Sequence, residues 1–529
     1  MTNVREALLK HLEEIAFFLE YKGENPFKIR AFNKAAEVLE TLDEAELNKR
    51  IQDKSLLELK GIGKGTFSIA ESFFKNQISD DWKEAKGTLP LSLLELRVIR
   101  GLGPAKIRAL FEELQICTLG ELEYACNENR LVELKSFGEK SQKKILDALQ
   151  EIKTHQGKLL LSDALVQAEA FEKTLPKHFK FFRVGDLGRQ LETVDGLDYL
   201  IPENAKKPPI SHFPVRFHLS RENNLAIKRI ELTSSKEHWK SLEKAAEKNK
   251  IKFSTESTFE TEEEIYKKLG LLWCEPYERE LPAVSKRAGE LCELKDLTGV
   301  FHLHTVASDG TNTLEEMADA ARKHHWKFMG LSDHSQSAFY AQGLKEDALD
   351  SQWEEIEALN KKYPDFKILR GVESDILKDG RLDYPDSTLK KFDFVIASIH
   401  SRYGMMDMTD RILKAIENPY TTMIGHLTGR LLLAREGYQL DFQKIISAAI
   451  KNKKIIELNS HPHRLDIDWR YLSKACQAGL LISINPDAHS VAGFDNVKFG
   501  VWMSRKAGVP KENIFNTWSF EKISEYLKI

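Results

Sequence analysis

Between residues 300 and 490, six short apolar runs each end in histidine, aspartate or glutamate. They are Phe301-His-Leu-His304, Lys327-Phe-Met-Gly-Leu-Ser-Asp-His334, Ile368-Leu-Arg-Gly-Val-Glu373, Phe394-Val-Ile-Ala-Ser-Ile-His400, Thr422-Met-Ile-Gly-His426 and Leu480-Leu-Ile-Ser-Ile-Asn-Pro-Asp-Ala-His489. Amphipathic stretches separate them, the first opened by the capping box Thr313-Leu-Glu-Glu316. This alternation predicts a parallel sheet or a (β/α) barrel, whose strand C-termini converge on one mouth. Ten of the 16 histidines lie between residues 302 and 489. His302 and His304, at i and i+2, are expected on one face of a strand. With Asp309, Glu373 and Asp487, the strand-end histidines form a ligand set suited to Zn²⁺, Mn²⁺ or Fe²⁺. His324 and His325 fall on a helix and read as structural. His461 and His463, after Lys454-Ile-Ile-Glu-Leu-Asn459, could line the mouth.

The first 150 residues are helical in pattern: Leu8, Leu12, Ile15, Ala16 and Leu19 recur at helical spacing. Two segments, Leu59-Lys-Gly-Ile-Gly-Lys-Gly65 and Ile99-Arg-Gly-Leu-Gly-Pro-Ala105, share one design. Glycines permit a tight turn, and the amides of the helix that follows can hold a phosphate. The residues read as the phosphate grip are Gly61, Gly63, Lys64, Gly65, Gly101, Gly103 and Lys106. Lys135-Ser-Phe-Gly-Glu-Lys140 is a weaker third copy. These turns resemble helix-hairpin-helix elements, which contact the DNA backbone without reading its sequence. Over residues 1–150, 23 basic side chains face 25 acidic ones, so DNA is not held by bulk positive charge.

Taken together, His302-x-His304, Ser308-Asp-Gly310, Asp333-His-Ser335, Gly371-Val-Glu373, Ser398-Ile-His400, Gly425-His-Leu-Thr-Gly-Arg430 and Asp487-Ala-His489 resemble the polymerase and histidinol phosphatase (PHP) domain. The order of the whole chain resembles bacterial family X DNA polymerases that carry this domain at the C-terminus. The resemblance implies three parts: an α-helical helix-hairpin-helix N-terminus, an α/β nucleotidyltransferase-like palm and a distorted (β/α)7 TIM-like barrel. The implied boundaries are 1–80 (DNA-end binding), 81–155 (fingers-like), 156–232 (palm-like), 233–296 (thumb-like, with linker) and 297–529 (the barrel). It also implies three divalent ions, Mn²⁺ or Zn²⁺ with Fe²⁺ an option. One would be held by His302, His304, Glu373 and Asp487, and a second by the bridging Glu373 with His334 and His400. Asp309, His426 and His489 would hold the third. Arg430, Arg435, Arg464 and Arg402 are candidates to clamp substrate phosphates, with Arg430 and Arg464 placed in the catalytic set.

The palm departs from that family. Its pattern needs a Gly-Ser loop, an Asp-x-Asp pair and a third Asp, because two Mg²⁺ ions must bridge primer end and triphosphate. Here the stretch reads Gly185-Asp-Leu-Gly-Arg-Gln-Leu-Glu-Thr-Val-Asp-Gly-Leu-Asp198. Asp186 stands at the loop serine, Gly188 at the first paired arginine and Gly196 at the first metal Asp. Asp198 remains, and counting back places Arg216 at the third. Asp195 would face away on a strand. No Asp occurs from Ile201 to Ser254.

The expected activity is metal-dependent hydrolysis at gapped, nicked or 3′-blocked DNA. It would comprise 3′–5′ exonuclease, 3′-phosphatase and abasic-site incision, with polymerase activity lost. The alternatives are an active gap-filling polymerase with an editing domain, a histidinol-phosphatase-like small-molecule enzyme, or a non-catalytic DNA scaffold. Five scattered cysteines without CxxC spacing suit reduced thiols. The charged start Met1-Thr-Asn-Val-Arg-Glu and the lack of any long apolar stretch point to a cytoplasmic protein without a membrane span; a nucleoid-associated monomer is expected.

Overall fold

Leu8, Leu12, Ile15 and Leu19 put a buried stripe along the helix Val4–Tyr21. That helix packs on Pro26–Glu40, whose Ile29, Phe32, Ala35 and Leu39 repeat the pattern. The computed structural model describes the chain apart from residues 1–3, 43, 76, 133, 154–156, 207–214, 256, 288 and 401–406. It divides into two units, Met1–Cys126 with Leu131–Leu149, and Asn127–Arg130 with Gln150–Ile529.

In the first unit the glycine turns join helices as expected. Gly61 at φ +111° and Gly101 at φ +94° lie in the left-handed region that glycine tolerates. They lead into Lys64–Phe74 and Pro104–Leu114, the latter with proline at its first helical position.

The second unit begins with a small sheet. Its middle strand, Leu197–Pro202, pairs antiparallel with Phe182–Val184 and parallel with Val215–Ser220. Helices Leu225–Thr233, Lys236–Lys248 and Glu262–Lys268 follow, closed around Ile227, Ile230, Leu242, Ile265 and Tyr266. Seven parallel strands then run in sequence order: Gly299–Val300, Phe328–Leu331, Lys367–Asp375, Phe394–Ser398, Met423–Ile424, Ile455–Asn459 and Ile482–Asn485. The first and last approach through a parallel bridge between Leu303 and Ala488, so the sheet is a nearly closed barrel. Its floor is a cluster of Phe301, Phe328, Phe394 and Phe515, with Phe515 stacked on Phe301 and Phe394 edge-on to it. Gly371 is needed there, since a Cβ would come within 2.1 Å of Phe394.

Small sheet and barrel share one continuous apolar core. Trp469 Nε1 donates to Glu192 at 3.0 Å and Lys506 Nζ to the carbonyl of Arg189 at 2.7 Å. The palm-like sheet is thus mounted on the barrel through buried contacts. No described helix is long and apolar enough to cross a membrane.

Candidate metal centre

Each barrel strand hands a polar residue to the mouth at its C-terminal end, the side on which βα-loops build sites. His334 follows Phe328–Leu331, Glu373 lies late in Lys367–Asp375, and His400 follows Phe394–Ser398. His426 follows Met423–Ile424, while Asp487 and His489 follow Ile482–Asn485. His302 and His304 come just past Gly299–Val300. Strand alternation does not orient them, contrary to expectation: His302 sits at φ +60°, outside any strand. His426 and Asp487 also have positive φ, at +20° and +50°, strain of the kind that collects at functional sites.

Among the described residues four ligand groups result: His304, Asp309, His334 and His489; His302, His304 and Asp487; His302, Glu373 and His426; and His334, Glu373 and His400. Glu373 belongs to two of them, as a bridging carboxylate should. One expectation is corrected. His426 does not join Asp309 and His489; its Nε2 lies 2.9 Å from Glu373 Oε1, in the group of His302. The reason is strand order, which sets His426 beside His400 and away from the Asp309 loop.

The donor atoms fit an ion better than each other. His302 Nε2, both nitrogens of His304, both oxygens of Asp309, Glu373 Oε2 and His489 Nε2 are buried and make no hydrogen bond. Yet opposite charges lie close, as with His489 Nε2 and Asp309 at 3.2 Å. Burying so many unsatisfied groups is costly unless something else binds them. Burial pushes every ring down. At His334, Asp309 and Glu373 outweigh it and hold the imidazole at about 10. His304, where His489 and His334 add to burial, falls to about 3, and His426, near Arg464, to about 4. For Asp309, Glu373 and Asp487 burial acts upward, but the facing imidazoles keep them well below the usual carboxylate range. At neutral pH the acids are ionised, and His304 and His426 are neutral donors.

A second layer had been missed. Glu457, fully buried, accepts from His302 Nδ1 at 2.5 Å, the His426 amide at 2.6 Å, and Asn459 and Asn485. Asp375 holds His400 Nδ1. Asp333 binds Thr305, Ser308 and Gln352, pinning the loop that carries Asp309. Glu128 contacts His489 Nδ1, and His461 Nε2 at 3.3 Å. A glutamate inside an apolar strand was the available signal for Glu457; nothing local marked Glu128.

Of the arginines, Arg464 reaches the cluster, with Nε 3.5 Å from Asp487. Arg430 is corrected to a structural role. Its nitrogens donate to the Arg464 carbonyl at 2.9 Å, to Asp468 at 2.7 Å and to the Leu465 carbonyl. Arg435 likewise closes a turn on the Gly429 carbonyl. Arg402 lies outside the described residues. His461 and His463 join no ligand group, and His324 stacks on Trp326 with ring centroids 4.5 Å apart.

In the palm, the register sets Asp198 directly opposite Arg216. The guanidinium grips both carboxylate oxygens, at 2.9 and 2.5 Å, and His218 Nε2 adds a contact at 2.7 Å. Asp195 lies 3.4 Å from Lys158. Gly196 immediately precedes the Asp198 strand.

In the first unit, a Cβ on Gly63, Gly65, Gly101 or Gly103 would meet nothing within 4 Å. Gly63 and Gly103 have ordinary φ of −94° and −78°. Internal packing does not require glycine at these two sites, whereas close approach of an outside backbone would. Lys64 and Lys106 stand on the helices that follow.

A strand-end cluster of histidines and acids in a seven-stranded parallel barrel defines the class. Residues 301–461 match the model of the PHP domain. Residues 3–77 match a helix-hairpin-helix domain, 93–151 a SAM-like helix-hairpin-helix tandem, and 229–280 the DNA polymerase beta thumb. Over 99% of both chains, the sequence is 34% identical to the DNA polymerase/3′-5′ exonuclease PolX of Bacillus subtilis. The chain belongs to the bacterial family X DNA polymerases with a C-terminal PHP domain. It is also 31% identical to a probable phosphatase of Thermoanaerobacter sp., over 43% of this chain and 93% of that protein. The crystal structure of histidinol phosphate phosphatase from Lactococcus lactis, complexed with zinc, L-histidinol and phosphate, matches 40% of this chain and 94% of its own. That match has 17% identity and a TM-score of 0.32.

Proposed function

We propose that this chain is a metal-dependent phosphoesterase that trims DNA ends. Its reactions would be 3′–5′ exonuclease cleavage, release of 3′-blocking phosphates and incision at abasic sites, with the palm kept as a scaffold. The carrying observation is the contrast of two acidic sites: the barrel holds buried donor atoms without hydrogen bonds, while the palm's Asp198 is saturated by Arg216 and His218. The boundaries 1–80, 81–155, 156–232, 233–296 and 297–529 belong to this reading.

His302, His304, Asp309, His334, Glu373, His400, His426, Asp487 and His489 would hold the ions, with Glu373 shared. Mn²⁺ or Zn²⁺ held there would lower the pKa of a water towards neutrality and offset negative charge on the phosphoryl and leaving oxygens. The chain's own residues do the rest. Glu457 and Asp375 fix which ring nitrogen faces the site. Arg464 would contact a substrate phosphate through its fork. The turns at Gly61–Gly65 and Gly101–Ala105 would hold the DNA backbone through amides, so no net positive charge is required.

The name of the Bacillus relative favours a second reading, a working gap-filling polymerase. One assay decides: full-length protein with Mn²⁺, a labelled gapped duplex, and a parallel 3′-phosphate substrate, each with and without dNTPs. Shortening and phosphate release without extension are expected. Extension would favour the second reading; inertness on both substrates would end the first.

A further inference from the structure

Three ligand histidines are built to one plan. His302 turns Nδ1 to Glu457 at 2.5 Å and Nε2 to Asp487 at 3.4 Å. His400 turns Nδ1 to Asp375 and Nε2 to Glu373 at 3.3 Å. His489 turns Nδ1 to Glu128 and Nε2 to Asp309 at 3.2 Å. At His302 and His400 the carboxylate behind the ring takes the Nδ1 proton. At His489 the Asp487 carbonyl faces Nδ1 at 3.0 Å and the Glu128 carboxylate adds its charge beside the same nitrogen. Each ring keeps Nε2 as the donor into the cluster, and a carboxylate behind a ring raises ligand basicity in metal sites. Glu457 and Asp375 lie on barrel strands. Glu128 precedes the barrel by more than half its own length of chain and comes from no part of it.

We infer that Glu128 is a positioning residue of the metal centre, its carboxylate holding the His489 ring from behind with Nε2 turned to the ion held by His304, Asp309, His334 and His489. The inference rests on the metal-dependent reading above. Glu128 retains only 4% side-chain exposure, and a buried carboxylate persists only where partners compensate it. Its neighbours serve the same place. Asn127 Nδ2 lies 3.5 Å from His463 Nε2, and Arg130 Nε lies 3.3 Å from Asp309 Oδ2. Asn129 between them takes φ +56°, a left-handed turn that asparagine tolerates. Stretch 127–130 belongs to the same compact unit as the barrel. It touches His489 and Asp309, and these two belong to one ligand group only. Removing Glu128 therefore weakens one ion and spares the rest.

The test uses full-length protein, stripped with chelator, titrated with Mn²⁺ and desalted, with bound metal measured by mass spectrometry. Loss of a backing carboxylate typically costs about 10- to 100-fold in metal affinity. In Glu128→Ala one ion should load with its midpoint raised by about that factor, while the others load as in wild type. Glu128→Gln, which keeps an acceptor oxygen, should fall between. Hydrolysis of a chromogenic phosphodiester should recover in Glu128→Ala at high Mn²⁺, which a misfolded barrel would not do. If the alanine variant fails to fold, the glutamine variant carries the test. Wild-type loading in both variants, or a uniform loss of all ions, overturns the inference and leaves the metal centre standing. A wild-type chain that binds no Mn²⁺ or Zn²⁺ overturns the metal reading itself.

Discussion

In the barrel mouth, Glu373 lies within 3.7 Å of five histidine rings, those of His302, His304, His334, His400 and His426. In the palm, Asp198 lies against the guanidinium of Arg216 and the ring of His218. Both carboxylates are buried and both have cationic company. What separates them is the kind of cation. Imidazole can give up its proton when an ion binds and become a donor beside the carboxylate. Guanidinium keeps its charge and offers no lone pair, so it competes with a metal for the same oxygens. A carboxylate's fate is set by what faces it.

The sharpest break falls in the barrel. Asp487→Asn or His304→Ala should lower phosphodiester hydrolysis by at least about 10³-fold, because several kcal/mol of charge stabilisation is lost at about 1.4 kcal/mol per decade. DNA affinity should barely change. Wild-type turnover in both variants, or in excess chelator, would remove the contrast.

The palm gives the complementary experiment. With the barrel silenced by Asp487→Asn, primer extension on a gapped template should add no nucleotide. A unit cation about 4 Å from a divalent ion at an effective dielectric near 20 costs roughly 8 kcal/mol, enough to empty the site. Template-directed addition would show that Arg216 yields Asp198 to a metal after all.

Low pH distinguishes loss of ligands from loss of fold. His238, between the Leu281 carbonyl and the Tyr266 hydroxyl, is pushed down to about 4 by burial. Its unfolded value is near 6.5, so the unfolded chain binds the extra proton first. The contribution is intact above about pH 6.5 and declines as pH falls towards 4, by about 2 kcal/mol at pH 5. Denaturant midpoints of metal-free protein at pH 7 and 5 check this, and His238→Asn should flatten the difference.

The smallest expected effect lies in the helical turns. Lys64→Ala with Lys106→Ala should weaken duplex binding about tenfold and reduce the salt slope by about 2, since each phosphate contact contributes about 0.9. Hydrolysis of a small chromogenic diester should be unchanged. An unaltered salt slope would place DNA elsewhere.

Much of the barrel was legible because strand ends announce themselves: an apolar run that stops at His334, Glu373 or His400 is local information. The opposition of Asp198 and Arg216 was legible by counting along two strands. Circumference was not. Chain position does not tell which strand-end residues meet across a mouth, and so His426 was grouped with the wrong partners. Arg430 read as a loose cation because Asp468, its partner, stands well downstream. Glu128 was hidden more deeply. Asn127-Glu-Asn-Arg130 is a polar tetrapeptide among helices, indistinguishable by pattern from solvated surface.

The bridge between Leu303 and Ala488 sets His302 and His304, among the first barrel residues made, beside Asp487 and His489, the last of the ligands. A ribosome therefore finishes every other part of the centre before the two residues that complete it. On the metal-dependent reading, the growing polypeptide therefore carries an incomplete centre until Asp487 and His489 are made.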